Sequence, residues 1–352
     1  MDFPIDLYYQ IEPTNINILD RCRGEDDFRK VYLTDDGSSR LAIKHTSNSF
    51  TNEKYINGWF RLAKAYNGLG IYCPSPVNNK KGELIHHYQK NNRSYYVYAE
   101  ELAKYPTAES IGEEKFTAAN GQPIFLKNMM RSLGRVANAK LDVISFHSAY
   151  CLLEPYAPPD ITDETTECAL LFVNYLRKEI PIFHSEADEL WNLFVHTQNE
   201  LKKNYPSLPT SCFQADLNLS NILLNDENDF AGLIDFNLCG REPSLNYLVR
   251  EALWWADGKE LYDSDKNPLY CYDHALDTRK MSYFLKNLKY IQEEYEYSLE
   301  ERHIFPILFR YINSFWWGDL KELKRIKDDP DKVSALLGYI KQQMTRNDIL
   351  LP

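Results

Sequence analysis

The sequence predicts an α+β fold of two lobes: a small antiparallel sheet carrying one helix, then a larger and mainly helical lobe. Three observations carry this. Up to about residue 102, short runs of alternating polar and apolar residues are separated by hairpin turns. One helical stripe, over 51–66, interrupts them. Beyond that point the apolar spacing becomes helical, with only three short strand-like pieces. The change near Ala99–Lys104 divides the chain into 1–102 and 103–352.

The elements follow in order. Asn15–Leu19 alternates as a half-buried strand does, and Cys22–Asp27 reads as a turn. Phe28–Leu33 and Leu41–Lys44 form the next two strands, joined through Asp36-Gly37, a strong hairpin signal. In the helix, Tyr55, Ile56, Trp59, Phe60, Leu62, Ala63 and Tyr66 make the apolar stripe. Ser49 or Thr51 is expected to cap its start, and Gly68 and Gly70 to end it. A second hairpin runs from Glu83–Tyr88 through a Lys90–Arg93 turn to Ser94–Leu102. Helices are expected at 125–141, 168–180 and 187–205, and again after Leu245. Short strands are expected at 211–213, 222–224 and 231–234. Glu154–Glu167, rich in Pro and acids, reads as a surface loop, with a lid that attracts cations as the alternative. Trp254-Trp255 and Trp316-Trp317 fall on apolar helical stretches and read as core, with a substrate-pocket wall as the alternative.

Composition removes several function classes. The 352 residues carry 40 basic and 51 acidic side chains, a net charge of −11, so the basic footprint of a nucleic-acid binder is missing. The seven cysteines are widely spaced with no C-x-x-C, which favours reduced thiols in a cytoplasmic protein over disulfides or a zinc site. The acidic start of the chain does not read as a signal peptide, and no run approaches about 18 apolar residues, so no membrane partner is expected. Phosphate-loop, dinucleotide, nucleophile-elbow and zinc-protease motifs do not occur. The oligomeric state is not legible.

The chemistry concentrates in Phe213–Leu224 and Gly232–Asn237. Asp216 and Asn221 form the only D-x-x-x-x-N of the chain, and Asp235 ends an apolar strand nineteen residues after Asp216. Such an oxygen set suits a hard cation. Phosphoryl transfer needs a carboxylate to orient the attacking hydroxyl, a cation held by carboxylate and amide oxygens, and a lysine for the phosphates that stay behind. Lys44, at the end of a strand, suits the last role, and Glu53, early in the following helix, can supply its partner carboxylate.

Lys44, Glu53, Asp216-x-x-x-x-Asn221 and Ile234-Asp235-Phe236 together resemble the aminoglycoside phosphotransferase and choline kinase family, with its protein-kinase-like fold. Asn218–Leu223 resembles the family's catalytic loop running into a strand, and Gly70–Val77 its helix-to-strand passage; the likeness spans roughly residues 15 to 255. Asn237 stands where protein kinases have the Gly of D-F-G, and no A-P-E follows, which favours a small-molecule acceptor.

The resemblance implies Asp216 as catalytic base, Asn221 and Asp235 as Mg²⁺ ligands, and Lys44 as a phosphate contact paired with Glu53. It also implies an adenine edge on the backbone near Glu100 and Leu102, with the loop Arg21–Phe28 covering the phosphates. ATP or GTP would be the donor, and the acceptor a hydroxyl of an amino sugar, amino alcohol or sugar, a cationic acceptor being compatible with the acidic chain. The departures are Gln214 for the motif's His and Ala215 for its Gly. Gln keeps one donor and one acceptor group for holding backbone around the metal aspartate. The alternative is a catalytically weak nucleotide-binding or interaction protein.

Overall fold

The computed structural model describes residues 3–10, 13, 15–24, 26–156 and 160–352. Three expectations therefore fall partly outside the described residues: the chain start (Met1, Asp2), the phosphate loop at Glu25, and the acidic loop at 157–159.

After a short helix α1 (Phe3–Asp6) come the strands β1 (Asn15–Asp20), β2 (Phe28–Asp35), β3 (Arg40–Ser47), β4 (Pro76–Val77), β5 (Ile85–Lys90) and β6 (Arg93–Glu101), all in one antiparallel sheet. The order is β1-β2-β3-β6, with β4 and β5 end to end on the far edge of β6. The β5–β6 turn uses Asn91 and Asn92, both at positive φ, as a tight hairpin requires. Pairing of Ala42 with Glu100 and Lys44 with Tyr98 fixes the faces. Leu41, Ile43, Val97 and Ala99 point to one side, where Ile5, Leu7 and Tyr9 of the N-terminal segment cover them. Ala42, Lys44, Tyr98 and Glu100 share the other side.

On that side lies α2 (Glu53–Gly68), which buries Ile56, Trp59, Phe60, Leu62, Ala63 and Tyr66. Its cap is Asn52, whose side chain accepts from the Tyr55 N–H, in place of the expected Ser49 or Thr51. The apolar face of α2 belongs to the same core as the helices that follow, so it joins the sheet to the rest of the chain.

The helical part holds α3 (Ala108–Ile111), α4 (Glu113–Phe116), α5 (Leu126–Asn138), α6 (Glu164–Glu179), α7 (His184–Asn204), α8 (Ser244–Trp254), α9 (His274–Gln292), α10 (Leu299–Ile312), α11 (Trp317–Ile326) and α12 (Pro330–Thr345). Helix α5 packs on α9, and α7 meets both α6 and α10. Helix α6 begins four residues before the expected 168, because Asp163 caps it by accepting from the Thr166 N–H; Glu164 and Glu167 are its first turn and not loop. Two small ribbons interrupt the helices: β7 (Thr210–Phe213) with β10 (Gly240–Pro243), and β8 (Ile222–Leu224) with β9 (Phe230–Leu233). Among the described residues, no helix is long and apolar enough to cross a membrane.

Candidate active site

Asp216 lies in the loop between β7 and β8, and Asp235 follows β9. The loop conformation is set by neutral polar groups. The fully buried Gln214 accepts from the Asp216 N–H at 2.7 Å and donates to the carbonyls of Ile234 and Asp235 at 3.0 and 2.6 Å. One amide thus pins both aspartate-bearing segments, the backbone-holding task that the resemblance gives to the motif's His. Its own N–H donates to the Tyr66 hydroxyl from α2 at 3.1 Å, and the Tyr66 ring meets Phe236 edge-on at 5.5 Å. Ala215 and Asp235 both have positive φ, +65° and +58°. Backbone held in this region by an L side chain is a mark of functional loops. At Gly232 in β9, an added Cβ would lie 1.9 Å from the Tyr72 carbonyl oxygen, so only glycine lets β9 bond there to the segment after α2.

The Asp216 carboxylate accepts from Asn218 Nδ2 on one oxygen and Asn221 Nδ2 on the other, each at 2.8 Å. Burial lifts its pKa above the usual aspartate value; the Asn218 bond pulls the other way, and the charge of Asp235 adds to the lift. Arg23, in the segment between β1 and β2, also acts on Asp216 and lowers it; nothing in the motif spacing singled out this residue.

Lys44 projects from β3 into the same region. Its Nζ lies 3.2 Å from Glu100 Oε2 and 3.6 Å from Asp235 Oδ1. Burial opposes the charge on Lys44, but Glu100 and then Asp235 outweigh it, so its pKa stands above the ordinary lysine value.

Two expectations need correction here. Glu53 does not pair with Lys44: it sits at the first turn of α2, 61 % exposed, with His87 Nδ1 at 3.9 Å. Glu100 enters the site by its side chain, not through its backbone, which pairs with Ala42 and Pro76 in the sheet. The Leu102 N–H, for its part, donates to the Arg40 carbonyl at 2.8 Å. The site therefore unites Lys44, Glu100, Asp216, Asn221 and Asp235, and leaves Glu53 and the Leu102 N–H outside.

The donors fit a hard divalent cation. Asp235 and Asp216 are near enough to repel, and Asn221 carries an amide oxygen beside them while the Ile234 N–H donates to the Asn221 carbonyl. Among the described residues, no group of three or more His, Cys, Asp or Glu side chains is arranged to hold a metal. The Asp235 carboxylate with the Asn221 amide oxygen suits Mg²⁺, which takes its remaining ligands from phosphates and water.

Tyr150 and Glu251 stand near Asp216, and a wall of aromatic and acidic groups continues from them. The charge of Asp216 reaches Tyr150 and Glu251, adding to the upward shifts that burial causes in both; Glu251 is raised to about 8. Arg250 pairs with Glu164 at 2.7 Å and lies over the Tyr150 ring at 4.6 Å. Trp317 Nε1 donates to Glu164 at 3.1 Å. Trp254 and Trp316 meet edge-on with centroids 6.5 Å apart. These three indoles are 63 %, 42 % and 48 % exposed for Trp254, Trp316 and Trp317, so the core reading holds only for Trp255. Asn246 is wholly buried and donates to Glu242 and to the Tyr150 carbonyl, which makes it a support for this wall.

Known proteins agree with this architecture. A family model described as the phosphotransferase enzyme family matches residues 20–246. No curated protein matches the chain. Among solved structures, an amicoumacin kinase in complex with AMP-PNP, Ca²⁺ and Ami superposes with a TM-score of 0.53 at 17 % identity, over 96 % of this chain and 90 % of that one. A microcompartment-associated aminopropanol kinase gives a TM-score of 0.48 at 12 % identity, over 96 % and 93 %. A spectinomycin phosphotransferase gives 0.44 at 14 %, over 96 % and 92 %. The chain belongs to the phosphotransferase enzyme family.

Proposed function

We propose that the protein transfers the γ-phosphoryl group of ATP, or GTP, to the hydroxyl of a small cationic acceptor such as an amino alcohol or amino sugar. Asp216 carries the reading: its carboxylate is oriented by two amides and lifted in pKa by burial, as a base for a hydroxyl should be. The acceptor O–H gives its proton to Asp216 as its oxygen bonds to the γ-phosphorus. The bond from that phosphorus to the β,γ-bridging oxygen breaks, leaving a phosphate monoester and the nucleoside diphosphate. Lys44 contacts the phosphates that stay with the nucleotide. Asn221 and Asp235 would hold Mg²⁺, which when bound supplies charge neutralisation across the phosphate oxygens.

The cationic class is supported by Glu164 beside the exposed Trp317 indole, since a cation gains from both a carboxylate and an aromatic face. The net charge of −11 acts in the same direction at longer range. The same reading assigns residues 1–102 to nucleotide binding and 103–352 to catalysis and acceptor binding, in a cytoplasmic protein whose seven cysteines are free thiols. A screen of ATP consumption over amino alcohols, amino sugars and uncharged polyols, with the product identified as a phosphate monoester, tests it. Turnover on cationic members alone is expected. Tight Mg-ATP binding with no monoester from any hydroxyl would favour the non-catalytic alternative.

A further inference from the structure

We infer that Glu100, and not a carboxylate of α2, is the positioning residue that aims the Lys44 ammonium at the nucleotide phosphates; this rests on reading Lys44 as a phosphate contact. A lysine is a point charge on a flexible stem, so its direction has to be imposed by a partner. Both Glu100 carboxylate oxygens approach Nζ, at 3.4 and 3.2 Å, and both side chains are largely buried.

Helix α2 cannot supply the partner as it stands. Its one acid is Glu53, which lies exposed by His87. Where α2 meets the sheet it offers Trp59 and Phe60, whose rings each lie 5.9 Å from Tyr98, the register partner of Lys44. That contact surface is apolar, with no carboxylate to give.

Glu100 is also the better anchored of the two acids on Lys44. It stands on β6, paired on one side with β3 and on the other with β4, so its backbone is fixed by neighbours on both edges. Asp235 stands in a loop at positive φ and is a candidate cation ligand. When Asp235 turns to a cation, Glu100 keeps the lysine in place.

The test compares Mg-ATP and adenosine binding by calorimetry in the full chain, because Lys44 touches phosphates and adenosine has none. Lys44→Ala sets the scale. Glu100→Gln, which keeps the shape and removes the charge, is expected to weaken Mg-ATP about tenfold, the worth of a charge-assisted bond. Adenosine affinity should stay within about twofold, which also shows that the variant is folded. Glu100→Asp should recover part of the loss, and Glu53→Gln should bind as the parent does. Equal losses for Mg-ATP and adenosine would mean that Glu100 serves the base and not the lysine. Tighter Mg-ATP binding would mean that it sequesters Lys44. A loss in Glu53→Gln with none in Glu100→Gln would restore the helix carboxylate. Each of these three results overturns the inference. If Lys44→Ala itself binds Mg-ATP normally, the nucleotide-site reading fails and the inference with it.

Discussion

The two charged clusters of the site are held in opposite ways. Lys44 is fixed by other charges, Glu100 and Asp235, that reach it from a different strand and a distant loop. Asp216 is fixed by neutral groups of its own loop, Gln214, Asn218 and Asn221. Charge-on-charge anchoring favours the ionised lysine and readily exchanges one anion for another when phosphates arrive. Anchoring by amides fixes geometry without cancelling the charge of the carboxylate, and burial keeps its proton affinity high. The first arrangement suits binding and the second suits proton transfer.

Asp235 bridges the clusters, so breaking it should have the widest effect. Asp235→Asn removes a cation ligand and one of the two anions on Lys44. Mg-ATP affinity and turnover are expected to fall together, by about a hundredfold or more. Calorimetry with and without Mg²⁺ checks this; a normal response to Mg-ATP would separate Asp235 from the cation site.

The amide-held side is sharpened at Gln214. Gln214→Ala strips partners from the Asp216 N–H and from two carbonyls in a buried setting, at a cost of about 2–4 kcal/mol in stability. Denaturant unfolding reads this directly. Gln214→His should retain much of the stability, because imidazole also carries a donor and an acceptor.

A smaller effect concerns the wall behind Asp216 and the pH. Burial raises Glu242 to about 7, Glu251 to about 8 and, further along the chain, Asp319 to about 7. A carboxyl whose pKa is higher in the folded state binds more protons folded than unfolded, so it favours folding at low pH. That contribution is full below the unfolded values, about 4, and is lost as pH rises to about 8. These three groups therefore contribute a decline from pH 5 to pH 8 in denaturant titrations, opposed below about pH 6.5 by His45, which burial lowers to about 4, and Glu251→Gln should remove its share of the decline. A pH slope left unchanged by Glu251→Gln would show that Glu251 is ionised in the folded chain over that interval.

The same contrast explains what was legible in the sequence. Asp216, Asn221 and Asp235 could be picked out as candidates because their spacing is local, and Gln214 because it stands where the resembled family has His. The partner of Lys44 could not. It depends on the register that sets Ala42 opposite Glu100, and on the helical phase that turns Glu53 outward. Strand β10 was missed because Gly240–Pro243 has no strand pattern of its own and becomes one by pairing with β7. Trp254, Trp316 and Trp317 lie at helix ends, where apolar periodicity does not say which side faces solvent.

The central claim is that Asp216 is a base and not one more binding group, and Asp216→Asn tests it most directly. The substitution keeps the shape and removes the charge. Mg-ATP should still raise the melting temperature through Lys44, Asn221 and Asp235. Phosphoryl transfer to the acceptor found by screening should fall by about 10²–10⁴-fold, the worth of a positioned acid–base group. Robust transfer by Asp216→Asn, or loss of the Mg-ATP response along with the transfer, would contradict the account.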